Sequence, residues 1–266
     1  MQLKIEAETV SLLEELARTA GAKLLEYWPG NPQHNGSLAV TDKADGSPVT
    51  AADLASNSII IEGLRKLFPD FGILSEEIPD RGDLESKNCV WIIDPLDGTR
   101  SFVKGYDDFS VLMGLTIEGS PRFGIMYFPA RNVMAIAEKG KGTLINGVRG
   151  EVSKAQDLRS GSLYYRNLSL PDADYLHKEW MDSGMAFLAL CRGELDGVVI
   201  RMTAHKEWDI AAPIVVVEES GGQVSDENGE PITFSKSEMN FKYLVASNGL
   251  VHERLLELIE AAEAAS

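Results

Sequence analysis

The segment from Trp91 to Phe102, WIIDPLDGTRSF, constrains the fold more strongly than any other part of the chain. Its apolar beginning predicts a buried strand, and this strand runs directly into Asp94. A second aspartate, Asp97, comes three residues later and is followed at once by Gly-Thr. Carboxylates crowded at the end of a buried strand repel one another, so the fold must protonate, pair or neutralise them there.

Three more acidic positions lie at the ends of predicted elements. Glu76 and Glu77 follow the strand FGIL, Asp53 begins a helix after SPVTAA, and Asp209 begins the apolar helix DIAAPIVVV. Strand ends and helix starts converge at the edge of a sheet, so these acids can meet in space. Few lysines or arginines lie near them in sequence, and Mg²⁺ prefers oxygen ligands. The pattern therefore favours a divalent-metal site.

Each acidic position also has an ordinary structural interpretation. DPLDG could be a turn, Asp209 could cap a helix, and Glu76 with Glu77 could be solvated surface charge. The combination favours function, because Gly98 lets the backbone bend so that successive N–H groups face an anion. Thr99 adds a hydroxyl that can hold a water. Together they predict a phosphate-binding site beside the metal site.

The remaining pattern predicts a mixed α/β chain. The Gly/Pro/Asn-rich stretch WPGNPQHNGS is a loop and a candidate mobile flap, and the polar residues 150 to 182 give no clear assignment. A soft boundary near residue 150 divides one structural unit into an N-terminal lobe, 1–150, with the flap, Glu76 and DPLDGT, and a C-terminal lobe, 151–266, with WDIAAP. The predicted elements are helices over 8–26, 51–67, 184–192, 209–220 and from about 251, buried strands at GIL, CVWII and DGVVI, and antiparallel strands over 109–146.

Composition and net charge indicate which classes of partner the chain can bind. The chain has 266 residues, of which 44% are hydrophobic, which is enough for a large core. A net charge of −16 disfavours nucleic-acid polymers and anionic membranes, so a phosphorylated substrate would need cations placed locally. Cys89 and Cys191 make no disulfide framework, which favours a cytoplasmic protein. The start lacks a signal-peptide pattern, and no apolar run is long enough to span a bilayer.

The motifs in combination resemble a known family. WIIDPLDGTRSF, the downstream WDIAAP, and the earlier LSEE and SPVTAAD look like the signatures of the inositol monophosphatase superfamily of metal-dependent, lithium-sensitive phosphatases. The resemblance covers most of residues 8 to 225. It implies an α/β (α+β) fold layered α-β-α-β-α, like that of fructose-1,6-bisphosphatase. It also implies hydrolysis of a phosphoric monoester with two to three Mg²⁺ ions, and it allows a homodimer.

The resemblance also implies a set of metal ligands. Glu76, Asp94 and the backbone carbonyl of Leu96 would hold one Mg²⁺. Asp94, Asp97 and Asp209 would hold a second ion, and a third, weaker ion would sit near Glu76.

The same resemblance assigns the reacting water and the phosphate. Asp53 and Thr99 would form a dyad that orients and deprotonates the water, with Glu76 as a further catalytic group. Asp97, Gly98 and Thr99 would contact the phosphate. Coordination lowers the pKa of water, and phosphoryl transfer needs mostly positioning and charge neutralisation, so the chemistry agrees with these roles.

Within the superfamily, KADGSPVTAAD followed by LSEE most resembles the 3'(2'),5'-bisphosphate nucleotidases, which convert phosphoadenosine phosphate to AMP. Lys43 would lie on the flap beside the substrate. Met202 stands where inositol monophosphatases are expected to carry a glutamate that accepts hydrogen bonds from inositol, and a thioether is a poor acceptor. Arg201 beside it could bind a second phosphate or could be a surface cation at a strand end. Ser183 in DSGMA is a remnant of the Gly-Ser loop expected there.

Other substrates stay open. The interval between Asp97 and Asp209 looks short for the family, and the deficit falls within 150–182, where members usually border the substrate. The shortening could open the site to inositol phosphates, sugar phosphates or histidinol phosphate. A remote alternative is a regulatory protein that binds metal or phosphate without turnover. Loss of a metal-binding aspartate or of Thr99 would signal that alternative, and none is lost.

Overall fold

The computed structural model describes residues 5–33, 40–42, 48–78, 82, 84–158, 162–165, 176–177, 181–234 and 241–264. Lys43 and residues 34–37 of the predicted flap lie outside these residues. The helices of the described residues are α1 (Ala7–Tyr27), α2 (Ala51–Leu67), α3 (Thr99–Val103), α4 (Ser183–Cys191), α5 (Glu207–Glu219) and α6 (His252–Ala264). None of them is long and apolar enough to cross a membrane.

Two larger sheets and one β-hairpin contain the strands of the described residues. The hairpin pairs β1 (Val40–Asp42) with β2 (Pro48–Thr50). The first large sheet is formed by β3 (Gly72–Ser75), β4 (Cys89–Asp97), β5 (Ser110–Ile117), β6 (Ser120–Phe128), β7 (Val133–Glu138), β8 (Gly142–Ile145) and β9 (Val148–Arg149). The second is formed by β10 (Ser162–Tyr165), β11 (Leu176–His177), β12 (Gly197–Arg201), β13 (Gln223–Asp226) and β14 (Tyr243–Ser247).

The elements stack in five layers. Helices α1 and α2 pack on one face of the first sheet, and α5 packs on its other face. Helices α4 and α5 also contact the second sheet, and α6 covers the outer face of that sheet. The predicted α-β-α-β-α order is therefore confirmed. Three hydrophobic clusters fill the spaces between the layers, and the largest lies between the two sheets around α4 and α5.

Strand pairing follows the sequence pattern. In the first sheet the order is sequential from β3 to β9, with β3 parallel to β4 and the remaining pairs antiparallel, as the short connections over 109–146 predict. In the second sheet the order is β11-β10-β12-β14-β13, and the strands of the unassigned region, β10 and β11, pair in parallel with their neighbours. The lobe boundary near residue 150 stays a prediction.

Strand β4 differs from the prediction at its end. Its apolar part is buried on both faces, with Trp91 and Ile93 towards α1 and α2 and Ile92 towards α5. The strand does not stop before the acids but continues to Asp97, with a register shift after Asp94. Three steps on β4 oppose two on β5 here, which is a bulge, and Pro95 fits a bulge because it has no N–H to donate.

A pair of glycines lets α5 approach the first sheet closely. Gly114 on β5 faces Gly124 on β6 across the ladder. A Cβ at Gly114 would lie 2.7 Å from the Ala211 Cβ, and a Cβ at Gly124 would lie 2.6 Å from the Ala212 carbonyl oxygen. The helix backbone thus rests directly on the strand backbones, which fixes the distance between α5 and the end of β4.

We predict that Gly124→Ala lowers the free energy of unfolding by about 1–3 kcal/mol, because the new methyl group meets helix backbone that cannot move aside. Urea denaturation measures the change. The control is Arg122→Ala on the same strand, whose side chain is exposed and which should change stability little. A Gly124→Ala protein as stable as the wild type would contradict the close approach of α5.

Candidate active site

Three carboxylates meet where β4 ends and α5 begins. One carboxylate oxygen from each of Asp94, Asp97 and Asp209 lies within 4.8 Å of the other two. Asp94 and Asp97 are buried, and Asp209 is half-buried. The structure thus brings together three of the residues that the sequence singled out. Oxygen atoms at this spacing suit a hard divalent cation, so the residues fit the metal that the family resemblance implies.

Local hydrogen bonds hold each carboxylate in place. Asp94 Oδ1 accepts from the Leu96 N–H at 2.9 Å, so the bulge of β4 itself orients this side chain. Asp97 Oδ2 accepts from the Ser110 hydroxyl at 3.0 Å across the ladder to β5. Asp209 lies in the first turn of α5, and its Oδ2 accepts from the Lys206 N–H at 2.5 Å.

Helix α2 ties the bulge to the neighbouring strand. The Ser56 hydroxyl donates to the Pro95 carbonyl at 2.8 Å. The Ser75 hydroxyl, at the end of β3, donates to the Asn57 side chain at 2.7 Å. Just beyond Ser75, the Glu76 N–H donates to the Ile93 carbonyl at 3.2 Å, which brings Glu76 to the edge where the acids converge.

The pKa values of the cluster follow from burial and mutual repulsion. Burial, and then the charges of Glu76, Asp97 and Asp209, raise the pKa of Asp94 well above its ordinary value. Burial also raises the pKa of Asp97, followed by repulsion from Asp182 and Asp209. Burial raises the pKa of Asp209 to about 7, with Glu76 adding to the rise. Without a cation these acids retain protons at pH values where isolated carboxyls are ionised.

Asp53 and Thr99 lie beside the cluster. The Thr99 hydroxyl is 3.4 Å from Asp53 Oδ1 and 3.0 Å from the Leu96 carbonyl oxygen. Asp53 also completes a capping box, because its Oδ2 accepts from the Thr50 N–H at 2.8 Å and from the Thr50 hydroxyl at 2.6 Å. Asp53 therefore caps α2 with one oxygen and faces Thr99 with the other. The sequence predicts only the second of these roles. Burial raises the pKa of Asp53 above its ordinary value, although the hydrogen bonds from Thr50 oppose the rise.

Gly98 needs the freedom that its lack of a side chain gives. Its φ of 82° lies in the left-handed region, and it precedes α3. A Cβ at this position would lie 3.1 Å from Asp182 Cγ and 3.3 Å from the Phe109 Cα. The start of α4 therefore lies against the end of the DPLDG segment.

Residues at the start of α4 complete the surroundings of the site. Ser183 is buried, and its hydroxyl donates to Asp182 Oδ2 at 3.3 Å. A Cβ at Gly184 would overlap Asp97 Oδ2, so α4 touches the cluster itself. The sequence pattern does not predict that Asp182 and Ser110 lie at the site. An aspartate before an apolar helix predicts only a helix cap, and a serine in an apolar strand predicts no specific role. Of the motif DSGMA, only Ser183 had been singled out.

The side chains of the consecutive residues Arg201 and Met202 lie in different surroundings. The guanidinium of Arg201 lies 5.9 Å from the centre of the Tyr243 ring. Arg201 and Val199 share a face of β12, and Val199 packs in the cluster beneath α6. Met202 is buried in the cluster around α4 and α5. The structure thus does not bring Arg201 to the carboxylates, and its contact with a second phosphate stays a prediction.

The layered fold and the carboxylate cluster are the architecture of a class of metal-dependent phosphatases. The sequence matches the model of the inositol monophosphatase family over residues 6–264, and the chain belongs to this family. Its members are phosphatases, so the chain is a hydrolase of phosphoric esters.

Relatives in the family carry several different names. The chain is 33% identical to the 3'(2'),5'-bisphosphate nucleotidase CysQ of Escherichia coli K12, over 84% of this chain and 93% of the relative. It is 34% identical to the Nus factor SuhB of Pasteurella multocida, over 92% of each. It is 30% identical to the histidinol-phosphatase of Chlorobaculum parvum, over 94% and 96%. A solved IMPase of Thermotoga maritima superposes with a TM-score of 0.81 at 27% identity, covering 97% of this chain and 99% of that one.

We predict that the metal-free protein loses stability as the pH rises from about 4 to about 7. An acid whose pKa is raised by folding keeps its proton in the folded state and releases it on unfolding within this window, so a rising pH favours the unfolded chain. Each unit by which the pKa of a group differs between the folded and the unfolded state changes the free energy of unfolding by about 1.4 kcal/mol. Urea denaturation in the presence of a chelator at several pH values measures the slope.

Asp209→Asn should flatten this slope, because the amide does not titrate. Asp107→Asn is the matched control, since Asp107 is an exposed partner of Arg131 outside the cluster. If stability fell with pH equally in the wild type and in Asp209→Asn, the raised pKa of Asp209 would be contradicted.

Proposed function

We propose that this chain is a Mg²⁺-dependent phosphomonoesterase that prefers a 3'(2'),5'-bisphosphate nucleotide and converts phosphoadenosine phosphate to AMP and phosphate. The observation that carries the phosphatase chemistry is the cluster of Asp94, Asp97 and Asp209 with the Asp53–Thr99 pair beside it. Buried acids at this spacing need a counter-charge, and a phosphate ester needs the same cations.

The ligand sets follow the family resemblance. Glu76, Asp94 and the Leu96 carbonyl would hold one Mg²⁺, and Asp94, Asp97 and Asp209 would hold a second. A third ion would sit near Glu76. When bound, Mg²⁺ supplies positive charge for the phosphate oxygens and lowers the pKa of water in its shell.

The protein's own groups position and deprotonate the attacking water. The Thr99 oxygen accepts a hydrogen bond from the water, and the Thr99 hydroxyl donates to Asp53 Oδ1. The proton of the water would pass to Thr99 as the Thr99 proton passes to Asp53. The raised pKa of Asp53, caused first by burial, makes its carboxylate a better proton acceptor than an exposed aspartate. The capping bonds from Thr50 hold the carboxylate still while it acts. The positive φ of Gly98 would let successive backbone N–H groups face the phosphate.

The substrate preference rests on three points. KADGSPVTAAD with LSEE resembles the nucleotidase branch, and the relatives named CysQ are 33% identical. Met202 is a buried thioether where an inositol-binding glutamate is expected, and it offers a sugar hydroxyl no strong acceptor. Lys43 would provide a cation on the flap. The relatives named histidinol-phosphatase and fructose-1,6-bisphosphatase/inositol-1-monophosphatase make those phosphates the alternatives to compare.

The decisive experiment is phosphate release from phosphoadenosine phosphate, inositol 1-phosphate, fructose 1,6-bisphosphate and histidinol phosphate at matched Mg²⁺. We predict the highest kcat/KM for phosphoadenosine phosphate and no release in chelator.

Asp94→Asn should abolish turnover with the fold intact, because an amide brings no charge to hold two ions. The metal-free variant should be slightly more stable, since one repulsive charge is gone. Substantial Mg²⁺-dependent turnover by Asp94→Asn would contradict the metal assignment, and Asp107→Asn is the control.

We predict that Thr99→Ala lowers kcat by roughly two to four orders of magnitude, with a smaller change in KM. Asp53→Asn should cause a similar loss of kcat, and the double variant should lose little more, because both residues serve one proton transfer. Thermal denaturation separates the capping role of Asp53, because Asn keeps a carbonyl acceptor for the Thr50 bonds and should change stability little, whereas Asp53→Ala should also lose about 1 kcal/mol with the cap. Fully additive losses of kcat would rule out a dyad.

A further inference from the structure

Asp94 and Asp97 lie on the same side of β4 although their separation along the strand is odd. In a regular strand successive side chains alternate between the two faces, so residues with an odd separation point to opposite sides of the sheet. The register shift after Asp94 removes this conflict, because three steps on β4 oppose two on β5. The bulge thus turns Asp97 to the face that Asp94 occupies, where Asp209 also lies.

Ser110 on β5 is the residue that meets Asp97 across the bulge. The two are Cα partners in the ladder, and Ser110 shares a face of β5 with Leu112, the partner of Asp94. If the ladder continued without the bulge, Ser110 would oppose Leu96 instead. Ser110 is fully buried. The register of β4 therefore decides whether a buried hydroxyl faces a carboxylate or an apolar side chain.

One oxygen of Asp97 is held from two sides. The Ser110 hydroxyl donates to Asp97 Oδ2 at 3.0 Å and makes no other hydrogen bond with the described residues. A Cβ on Gly184 would overlap Asp97 Oδ2 and would lie 2.9 Å from Ser110 Oγ, so the start of α4 closes over the same oxygen. Asp97 Oδ1 accepts no hydrogen bond from the described part of the chain, and it is the oxygen left for a cation.

The hydroxyl of Ser110 favours the bulged register for an energetic reason. A buried hydroxyl that faces an apolar side chain loses its hydrogen bonds to water without replacement, whereas in the bulged register it donates to Asp97. A neutral donor also orients the carboxylate without cancelling its charge. Groups that orient a metal-binding side chain in this way typically change metal affinity ten- to a hundredfold.

We propose that Ser110 is a positioning residue for the metal site, because its hydroxyl holds the bulge of β4 in register and keeps Asp97 beside Asp94. The inference rests on the metal site of the proposed function. Ser110 acts through Asp97 and not on the substrate. Its loss therefore lowers the affinity for the divalent ion and leaves turnover at saturating ion concentration close to that of the wild type.

The test is calorimetric titration of the metal-free protein with Mg²⁺ in the absence of substrate. We expect Ser110→Ala to weaken ion binding by about ten- to a hundredfold. Ser110→Thr keeps the hydroxyl on a strand position that suits a β-branched residue, and it should restore most of the affinity. Ser110→Cys keeps a side chain of similar shape with a weaker donor, so its affinity should lie between those of Ser110→Ala and the wild type.

The matched control lies at the other end of the same strand. Thr116→Val removes a hydroxyl that donates to the Val90 carbonyl at 3.2 Å, away from the cluster, and should leave ion affinity unchanged. In phosphate release, Ser110→Ala should need about ten- to a hundredfold more Mg²⁺ for half-maximal turnover. Its kcat at saturating Mg²⁺ and its KM for the ester should stay near the wild-type values, which separates positioning of the metal site from a role in catalysis.

Three results would overturn the proposal for Ser110. The first is an unchanged ion affinity in Ser110→Ala. The second is an equal loss of affinity in Thr116→Val, which would trace the effect to the stability of β5. The third is a full loss of affinity in a Ser110→Thr protein that unfolds at the urea concentration of the wild type. If the wild type hydrolyses none of the esters, the phosphatase proposal fails, and the calorimetric titration still decides the role of Ser110.

Discussion

Mutual repulsion among buried carboxylates is the interaction around which this structure is built. Asp94, Asp97 and Asp209 come from two separate parts of the chain and are held at distances that each would avoid in water. The rest of the fold opposes that repulsion with rigid supports. The bulge of β4 turns Asp94 and Asp97 to one side, the first turn of α5 orients Asp209, and the glycine pair sets the height of α5 above the sheet. A cation then converts the repulsion into binding energy.

This arrangement explains why few positive side chains are needed at the centre. The family is metal-dependent, so bound cations would supply the positive charge, and the cluster supplies oriented oxygens. The hydrogen bonds to those oxygens come from backbone N–H groups and hydroxyls, namely Leu96, Lys206 and Ser110. Neutral donors hold a carboxylate in place without competing for its charge, so the charge stays available to a metal.

The sequence predicted the elements and the cluster because both leave local signals. Apolar periodicity gave the helices and the buried part of β4, and the acids at element ends gave the meeting point. Features that depend on which other residue a side chain or strand contacts in the folded chain could not be predicted. The one-residue bulge that extends β4 depends on its register with β5, and the second role of Asp53 depends on Thr50. Asp182 reaches the site only because α4 packs against Gly98.

The same limit applies to Arg201 and to the region 150–182. A strand alternates its faces residue by residue, so Arg201, the last residue of β12, lies on the face of Val199 and opposite Ile200, and the sequence could not tell which face leads to the site. The short strands β10 and β11 are identified by their parallel partners and carry no strong pattern of their own.

Helix α5 is the one element of the described chain that touches both large sheets along much of its length, from β4 to β8 on one side and to β13 and β14 on the other. Partial opening of either sheet would expose one side of an apolar helix that is otherwise buried all round. We expect such an opening to require nearly the free energy of complete unfolding, so the backbone amides of α5 should be among the last to exchange with solvent. Asp209 would then be anchored in a slowly exchanging part of the molecule, and the geometry of the cluster would persist through the local openings of loops and edge strands.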